Sequence, residues 1–340
     1  MKIIRILPTL LIGLSLFSGC GGIPGAPSNS KGVNPGSCGG YAKTDVGAKL
    51  KGFLEATVQL NGVIDDGEAK MKASCKLMAK KLEIDESGNT ADVCNRVAEG
   101  IKAGLSVGLS ANAKLTIDYT PAECTVNIDV AASAAAKCEG EASADVGVTC
   151  EGTCSGTCNG ACDGTCEGSA GTDGSGGDCN GICDGACKGE CTGGCEGHAD
   201  VNASAECEAQ AEVSANAEAK CTKPELKIEF AADAVVDKAQ VNKVVLALKE
   251  GMPRILMISA KMKGPVTAAF KTWATSAKSL ASSSKDLYSS LGAEATCVSG
   301  QLAGAVGMVA GMQSSIDVQV DVSVSMSASA SAEGGGSAGN

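Results

Sequence analysis

Residues 150–195 read CEGTCSGTCNGACDGTCEGSAGTDGSGGDCNGICDGACKGECTGGC, two runs of five cysteines at a spacing of four. The first run is Cys150, Cys154, Cys158, Cys162 and Cys166; the second is Cys179, Cys183, Cys187, Cys191 and Cys195. Folded back antiparallel, they match cysteine to cysteine when the two residue numbers total 345: Cys150 with Cys195, Cys154 with Cys191, Cys158 with Cys187, Cys162 with Cys183, Cys166 with Cys179. Equal spacing guarantees this inside the runs but not beyond them. Yet Cys138 with Cys207 and Cys124 with Cys221 give the same total. So do Gly152 with Gly193, Gly156 with Gly189, Gly160 with Gly185, Gly164 with Gly181, and Pro121 with Pro224. Facing residues of an antiparallel pair have Cα atoms ~4.5–5.5 Å apart, within disulfide reach. The pattern predicts a long hairpin over 105–234, stapled along one face, with glycine leaving room for sulfur. A straight arm from Cys124 to Cys166 would reach on the order of 140 Å at ~3.3 Å per residue.

Polarity alternation extends the hairpin outward. From Ala199 to Cys221 odd positions are Ala, Val or Cys and even positions are polar, a period of two that reads as a strand with one covered face. Val126 to Cys150 alternates with small apolar residues at even positions. Because 345 is odd, the two apolar faces coincide. Helix is the competing reading, since alanine is the best helix former. At Pro121 and Pro224 the parity flips, which predicts a bend, with Leu115 still facing Phe230 and Ile117 facing Ile228.

The start of the chain sets a compartment. Lys2 and Arg5 precede an apolar run, Ile6 to Phe17, and small residues before Cys20, the pattern of a secretory signal over 1–19. Leu16-Phe17-Ser18-Gly19-Cys20 resembles the lipobox of bacterial lipoproteins. That resemblance implies cleavage before Cys20, lipidation of Cys20, and an outer-membrane lipoprotein, periplasmic or surface-exposed, because Gly21 rather than Asp follows. Of 19 cysteines, Cys20 is then taken by lipid and 18 remain, an even number that reads as disulfides in an oxidising compartment. Loss of Lys2 and Arg5 with the signal takes the formal net charge from −11 to −13. Such a balance disfavours nucleic acid, whose phosphates need clustered cations.

Around the arm the sequence predicts a helical base. Residues 20–40 read as the lipidated cysteine and a Gly/Pro/Ser tether. A helical hairpin follows over 41–104, with helices from Asp45 to Lys81 and from Thr90 to Ala103, joined by Cys75–Cys94. A helical region covers 235–314, broken at Gly251-Met252-Pro253 and Gly264-Pro265. Residues 315–331 alternate through Ile316, Val318, Val320, Val322, Val324 and Met326 and read as an edge strand, before a Gly/Ser tail at 332–340 expected to be disordered. Cys38 and Cys297 fall to each other by elimination. The fold class is α+β: a helical base plus a long disulfide-laddered antiparallel β-hairpin with added edge strands.

Catalytic chemistry is hard to assemble from this composition. The single histidine, His198, is expected opposite Gly147 as an exposed polar residue, and one histidine offers no triad. No cofactor or metal site is expected: the C-x-G-x spacing is one residue wider than common zinc knuckles, and Thr172 to Asp178 lacks a calcium-loop motif. The uncharged run Ala295 to Gln313, with Gly300, Gly304, Gly307 and Gly311, suits a closely packed helix better than a membrane span. The chain resembles uncharacterised Cys-rich lipoproteins of Gram-negative bacteria that carry C-x-G-x-C tracts between helices, which implies no known activity. The expectation is a non-catalytic envelope lipoprotein, membrane-held through its lipid, with a structural or adhesive role. The alternative is a periplasmic module that sequesters a small ligand or metal.

Overall fold

The computed structural model describes residues 33–110, 113, 115–139, 147–154, 157–170, 178–191, 193–230, 234–282 and 291–331. The expected leader, Cys20, the expected tether up to residue 32, most of the hairpin tip and the tail at 332–340 lie outside them, whereas residues 33–40 are held by Cys38–Cys297 and are not a free tether.

The fold is α+β and rich in disulfides. Helix α1, Asp45–Leu82, forms the spine. Thr44 caps it by accepting from Gly47 N at 3.1 Å, and Glu83 ends it in the left-handed region at φ 59°. Helix α2, Thr90–Gly108, starts at a capping box in which Asn89 and Asp92 each accept from the other's backbone N–H. Cys75–Cys94 joins the two helices. Further along come α3, Ile128–Glu139; α4, Ala205–Ala217; α5, Lys238–Lys261; α6, Thr267–Ser282; α7, Ala295–Gly307; and α8, Val309–Ala330.

The main core lies where α2, α4, α5, α6 and α8 pack on α1. Trp273 of α6 is fully buried, its ring stacked on Phe53 at 5.7 Å and on Phe270 at 6.0 Å. Its Nε1 donates to Thr57 Oγ1 at 2.7 Å, so the one large polar aromatic is satisfied inside the core.

Two glycines of α1 receive glutamines in the same way. Gln210 of α4 donates Nε2 to Lys49 O at 2.7 Å, and Gln319 of α8 donates Nε2 to Ile64 O at 3.1 Å. Each amide oxygen then lies where a Cβ would be, on Gly52 and Gly67 respectively, three residues beyond the carbonyl that accepts. Neither oxygen has another partner. A weak Cα–H···O contact with the glycine is the interaction that this placement leaves it.

Several expectations are corrected. The alternating stretches at 128–139 and 205–217 are helices α3 and α4, not hairpin strands, joined by Cys138–Cys207. Alanine favours helix, and α4 is packed by α3, α1 and α6 at once, so small residues suit nearly its whole circumference. Residues 315–331 lie in α8 and its end rather than in an edge strand. There Gln319 and a Ser259–Ser323 hydroxyl pair at 2.7 Å hold polar residues inside. Gly251-Met252-Pro253 does not break α5, because all three are buried and Gly251 lies against Met78 of α1. Gly264-Pro265 sits in one π-helical turn, Met262–Val266, that carries α5 into α6.

A β-carbon tests the glutamine notch. Gly52→Ala should lower the unfolding free energy by about 1–3 kcal/mol, measured by denaturant titration, although alanine is the better helix former. Gly62→Ala, which meets nothing within 4 Å, should instead stabilise by about 0.5–1 kcal/mol. Equal signs for the two would refute the notch.

The N-terminal segment makes a second test. Tyr41 is buried and donates to Pro35 O at 2.9 Å; burial first, and then the nearby Glu55 charge, push its pKa up to about 12. The unfolded chain releases this proton near pH 10, so the contribution is whole below that pH and lost as pH rises towards 12. Between pH 9 and 11 the native chain should lose about 1 kcal/mol more than a Tyr41→Phe variant does, measured by denaturant titration.

Candidate functional site

The arm is not a flat ribbon. At its root the expected register holds: β1, Thr116–Tyr119, pairs with β8, Leu226–Glu229, with Ile117 opposite Ile228, and β2, Cys124–Asn127, sets Cys124 opposite Cys221 of β7, Lys220–Cys221. Cys124 and Cys221 are bonded.

Above the root, β3, Val148–Cys154, and β4, Cys158–Ala170, run against β5, Asp178–Cys191, and β6, Gly194–Val201, in a different register. Residues 149–153, 158–161, 179–181 and 186–190 each have two partners. Cys150 pairs with Ala199 on one edge and with Gly189 on the other. Gly152 pairs with Gly197 and with Cys187, and Cys158 pairs with Cys191 and with Gly181. The totals are 349 on one edge and 339 on the other throughout, so crossing two strands displaces a residue by ten. Two antiparallel strands are therefore wound together into one coil with ten residues of each strand per turn. Two strand spacings of ~4.8 Å give a rise of roughly 10 Å per turn, so residues 148–170 climb only about 20 Å, against about 70 Å for an extended strand. This corrects the straight arm of ~140 Å.

The disulfides bridge the bore of this coil rather than neighbouring strands. Cys158 is bonded to Cys187. Cys187 stands four residues along its strand from Cys191 and six from Gly181, the two residues that flank Cys158, so it occupies the opposite wall. Cys150–Cys195, Cys162–Cys183 and Cys166–Cys179 follow the same offset, with Cα separations of 6.2, 5.8 and 5.8 Å. Cys154 is also disulfide-bonded, and the side chain of its expected partner Cys191 lies outside the described residues. The expected facing glycines change accordingly: Gly160 meets Gly189 and Gly164 meets Gly185. The sum of 345 names partners across the bore and falls between the two registers of the walls, four from one and six from the other.

Why cysteine and glycine alternate inside now follows. A Cβ on Gly160 would come within 2.6 Å of Lys188 O and 2.7 Å of the Gly189 Cα, and the reciprocal contacts hold for Gly189. The bore admits a cystine or a bare backbone. Thr149, Glu151, Thr153, Asn159, Asn180, Lys188 and Glu190 are exposed on the outer wall, where Lys188 meets Glu151 at 3.1 Å. His198 pairs in the backbone ladder with Glu151, not Gly147, and its side chain lies outside the described residues.

At the lower end β2 takes over one edge of the coil. Val126 pairs with Cys195, in the place residue 144 would hold were the 339 register continued. The intervening chain is diverted into α3. A cleft of about 760 Å³ opens here between α1, α3 and α4. Lys51, Glu55, Asp129 and Lys137 supply its charges, with Lys51 and Glu55 paired at 2.7 Å. It is small-walled, through Ala48, Gly52, Ala56 and Ala134, and polar in mouth, so it suits a hydrophilic small molecule better than an apolar one. Reading 128–139 as a strand hid this cleft; the helical spacing of Val130, Ala134 and Lys137 was the available signal.

Cys38–Cys297 is the remaining bridge and ties the N-terminal segment to α7. Among the described residues no group of three or more His, Cys, Asp or Glu is placed to hold a metal ion.

A methyl group tests the bore. Gly160→Ala should prevent native closure around it, so that peptide mapping without reduction finds scrambled partners for Cys158 and Cys162. Ala161→Ser, on the outer wall, should give the parent map, including Cys154–Cys191. A native map for Gly160→Ala would mean that the two strands are not wound this tightly.

No family model, curated protein or solved structure matches the chain.

Proposed function

We propose that this is a non-catalytic cell-envelope lipoprotein, held in the outer membrane through Cys20, that presents its coiled arm as a rigid structural or adhesive element. The coil carries the argument. Among the described residues, 149–153, 158–161, 179–181 and 186–190 are paired on both edges, and the inward positions from Cys150 to Cys166 and from Cys179 to Cys195 are cysteine and glycine, so this part of the arm leaves no internal space for a substrate and no free edge for strand addition. What it offers a partner is its outer surface, in a stretch of sequence that between residues 148 and 201 holds nine acidic residues against Lys188. The disulfides fit an extracytoplasmic compartment. The resemblance to Cys-rich lipoproteins with C-x-G-x-C tracts points the same way.

The polar cleft at the arm's foot favours the second reading, a module that holds a small hydrophilic ligand. Native mass spectrometry of protein taken from its own cells separates the two: a stoichiometric non-lipid adduct lost from a Lys137→Glu variant supports the binding module, and its absence supports the arm.

The anchor has its own test. A Cys20→Ser chain should leave the membrane fraction or stay unprocessed, with no acyl mass, while His198→Ala should leave every measured property unchanged. A Cys20→Ser chain that still carries acyl groups and floats with membranes would overturn the anchoring.

A further inference from the structure

The chain enters the described structure at Val33 and is fastened at once to α7. Asn34 N donates to Gln301 Oε1 at 2.6 Å, Gln301 Nε2 donates to Ser37 Oγ at 3.0 Å, and Cys38 is bonded to Cys297. Val33 lies over Gly304. Whatever precedes Val33 therefore leaves from this helix. Cys20 stands thirteen residues upstream. At no more than about 3.5 Å per residue, lipid on Cys20 would hold α7 within roughly 45 Å of a bilayer.

The surface beside that exit is uncharged. No Asp, Glu, Lys or Arg occurs from Ala295 to Gln313. Ala303, Gly304, Gly307, Ala310 and Gly311 are exposed along one side, flanked by a half-buried Val306. A Cβ on Gly307 or Gly311 would meet nothing within 4 Å. Gly292–Ala330 is long and apolar enough to cross a membrane by length and composition, yet only 22% of its apolar window is buried. A core helix of that hydropathy would have been covered on most sides by its own fold.

Crossing is not what the structure favours. In α8, Gln319 and Ser323 are bonded inside the base, while Asp317 and Asp321 face outward. Insertion would break the first pair of contacts and drive two carboxylates into hydrocarbon.

We propose that the outward face from Ala303 to Gly311 lies along the surface of the bilayer that holds the anchor. The inference rests on the lipid-anchor reading of Cys20. Small side chains bury little area, so the face binds weakly alone; attachment at Cys20 makes the contact intramolecular and raises its effective concentration. The occupant is the lipid surface itself, and the base thereby acquires a fixed side towards the membrane.

The test uses the lipidated full chain in phosphatidylcholine vesicles made with brominated acyl chains. Trp273 is the only native tryptophan and is fully buried, so it gives a constant background. In a Gly307→Trp variant the added indole should emit further to the blue and be quenched at least about twofold by bromines near the headgroup, and less by bromines near the chain ends. A Gly62→Trp variant, on an exposed and open position of α1, should show neither effect. Absent quenching in a Gly307→Trp protein that floats with vesicles and carries acyl mass overturns the docking alone. Strongest quenching from the deep bromines overturns it in favour of a span. Absent acyl mass in the wild-type protein overturns docking and anchoring together.

Discussion

A cystine that reaches across the bore is the constraint on which the arm depends. Two strands wound at ten residues per turn enclose a channel too narrow for leucine or phenylalanine, so the ordinary source of stability, apolar area removed from water, is missing. An isolated two-stranded ribbon is marginal in water. From Cys150 to Cys166 and from Cys179 to Cys195 each inward position is a cysteine or a glycine, with Val148 closing the lower end, and the disulfides tie opposite walls instead of adjacent strands. Cross-links of this kind act largely on the unfolded chain, adding up to ~2–4 kcal/mol each and less when loops are nested. They also fix the winding. A wall residue displaced by one position would turn its cysteine outward and lose its partner.

Part of this was legible in the sequence and part was not, for a reason that lies in the symmetry. Cysteines four apart in two opposed runs determine who meets whom, and the outward pairs Cys138–Cys207 and Cys124–Cys221 fix the same total. They do not determine whether the partners are neighbours in a sheet or stand across a channel. Both geometries place Cα atoms within disulfide range. Gly160 is the residue that distinguishes them: in a flat hairpin it faces Gly185 with room to spare, while in the coil it abuts the Gly189 backbone. The alternating segments failed differently. Ala205 to Ala217 alternates, but its small residues fit a helix packed on several sides as well as a strand with one covered face. In α8 the alternation concealed that Gln319 and Ser323 are buried alongside Ile316, Val322 and Met326, while Val324 is half exposed. The hydrogen bonds that make Gln319 and Ser323 buriable come from α1 and α5, elements far away in the chain.

The base answers to the opposite logic. Its largest buried groups, Trp273, Phe53, Met71, Met78 and Leu248 among them, supply a conventional core, and its three bridges, Cys75–Cys94, Cys138–Cys207 and Cys38–Cys297, fasten elements that packing already brings together. Fully burying a side chain of that size is worth about 1.5–3 kcal/mol. The base can therefore hold most of its helix under reduction while the coil, lacking such a core, cannot.

What joins the two regimes is α4. It runs out of β6 and into β7, so both its ends belong to the arm, yet its middle is fixed to the base. Cys207 ties it to α3, Gln210 seats it in the Gly52 notch of α1, and Val213 reaches the main core. A helix held at three points cannot rotate about its axis, and β6 leaves it only a few residues before the coil begins. The direction of the arm is thus set by the α1–α4 contact rather than by the disulfides that stiffen it. Glycine at position 52 matters for the same reason: a side chain there would push α4 away from the spine and swing the whole coil with it.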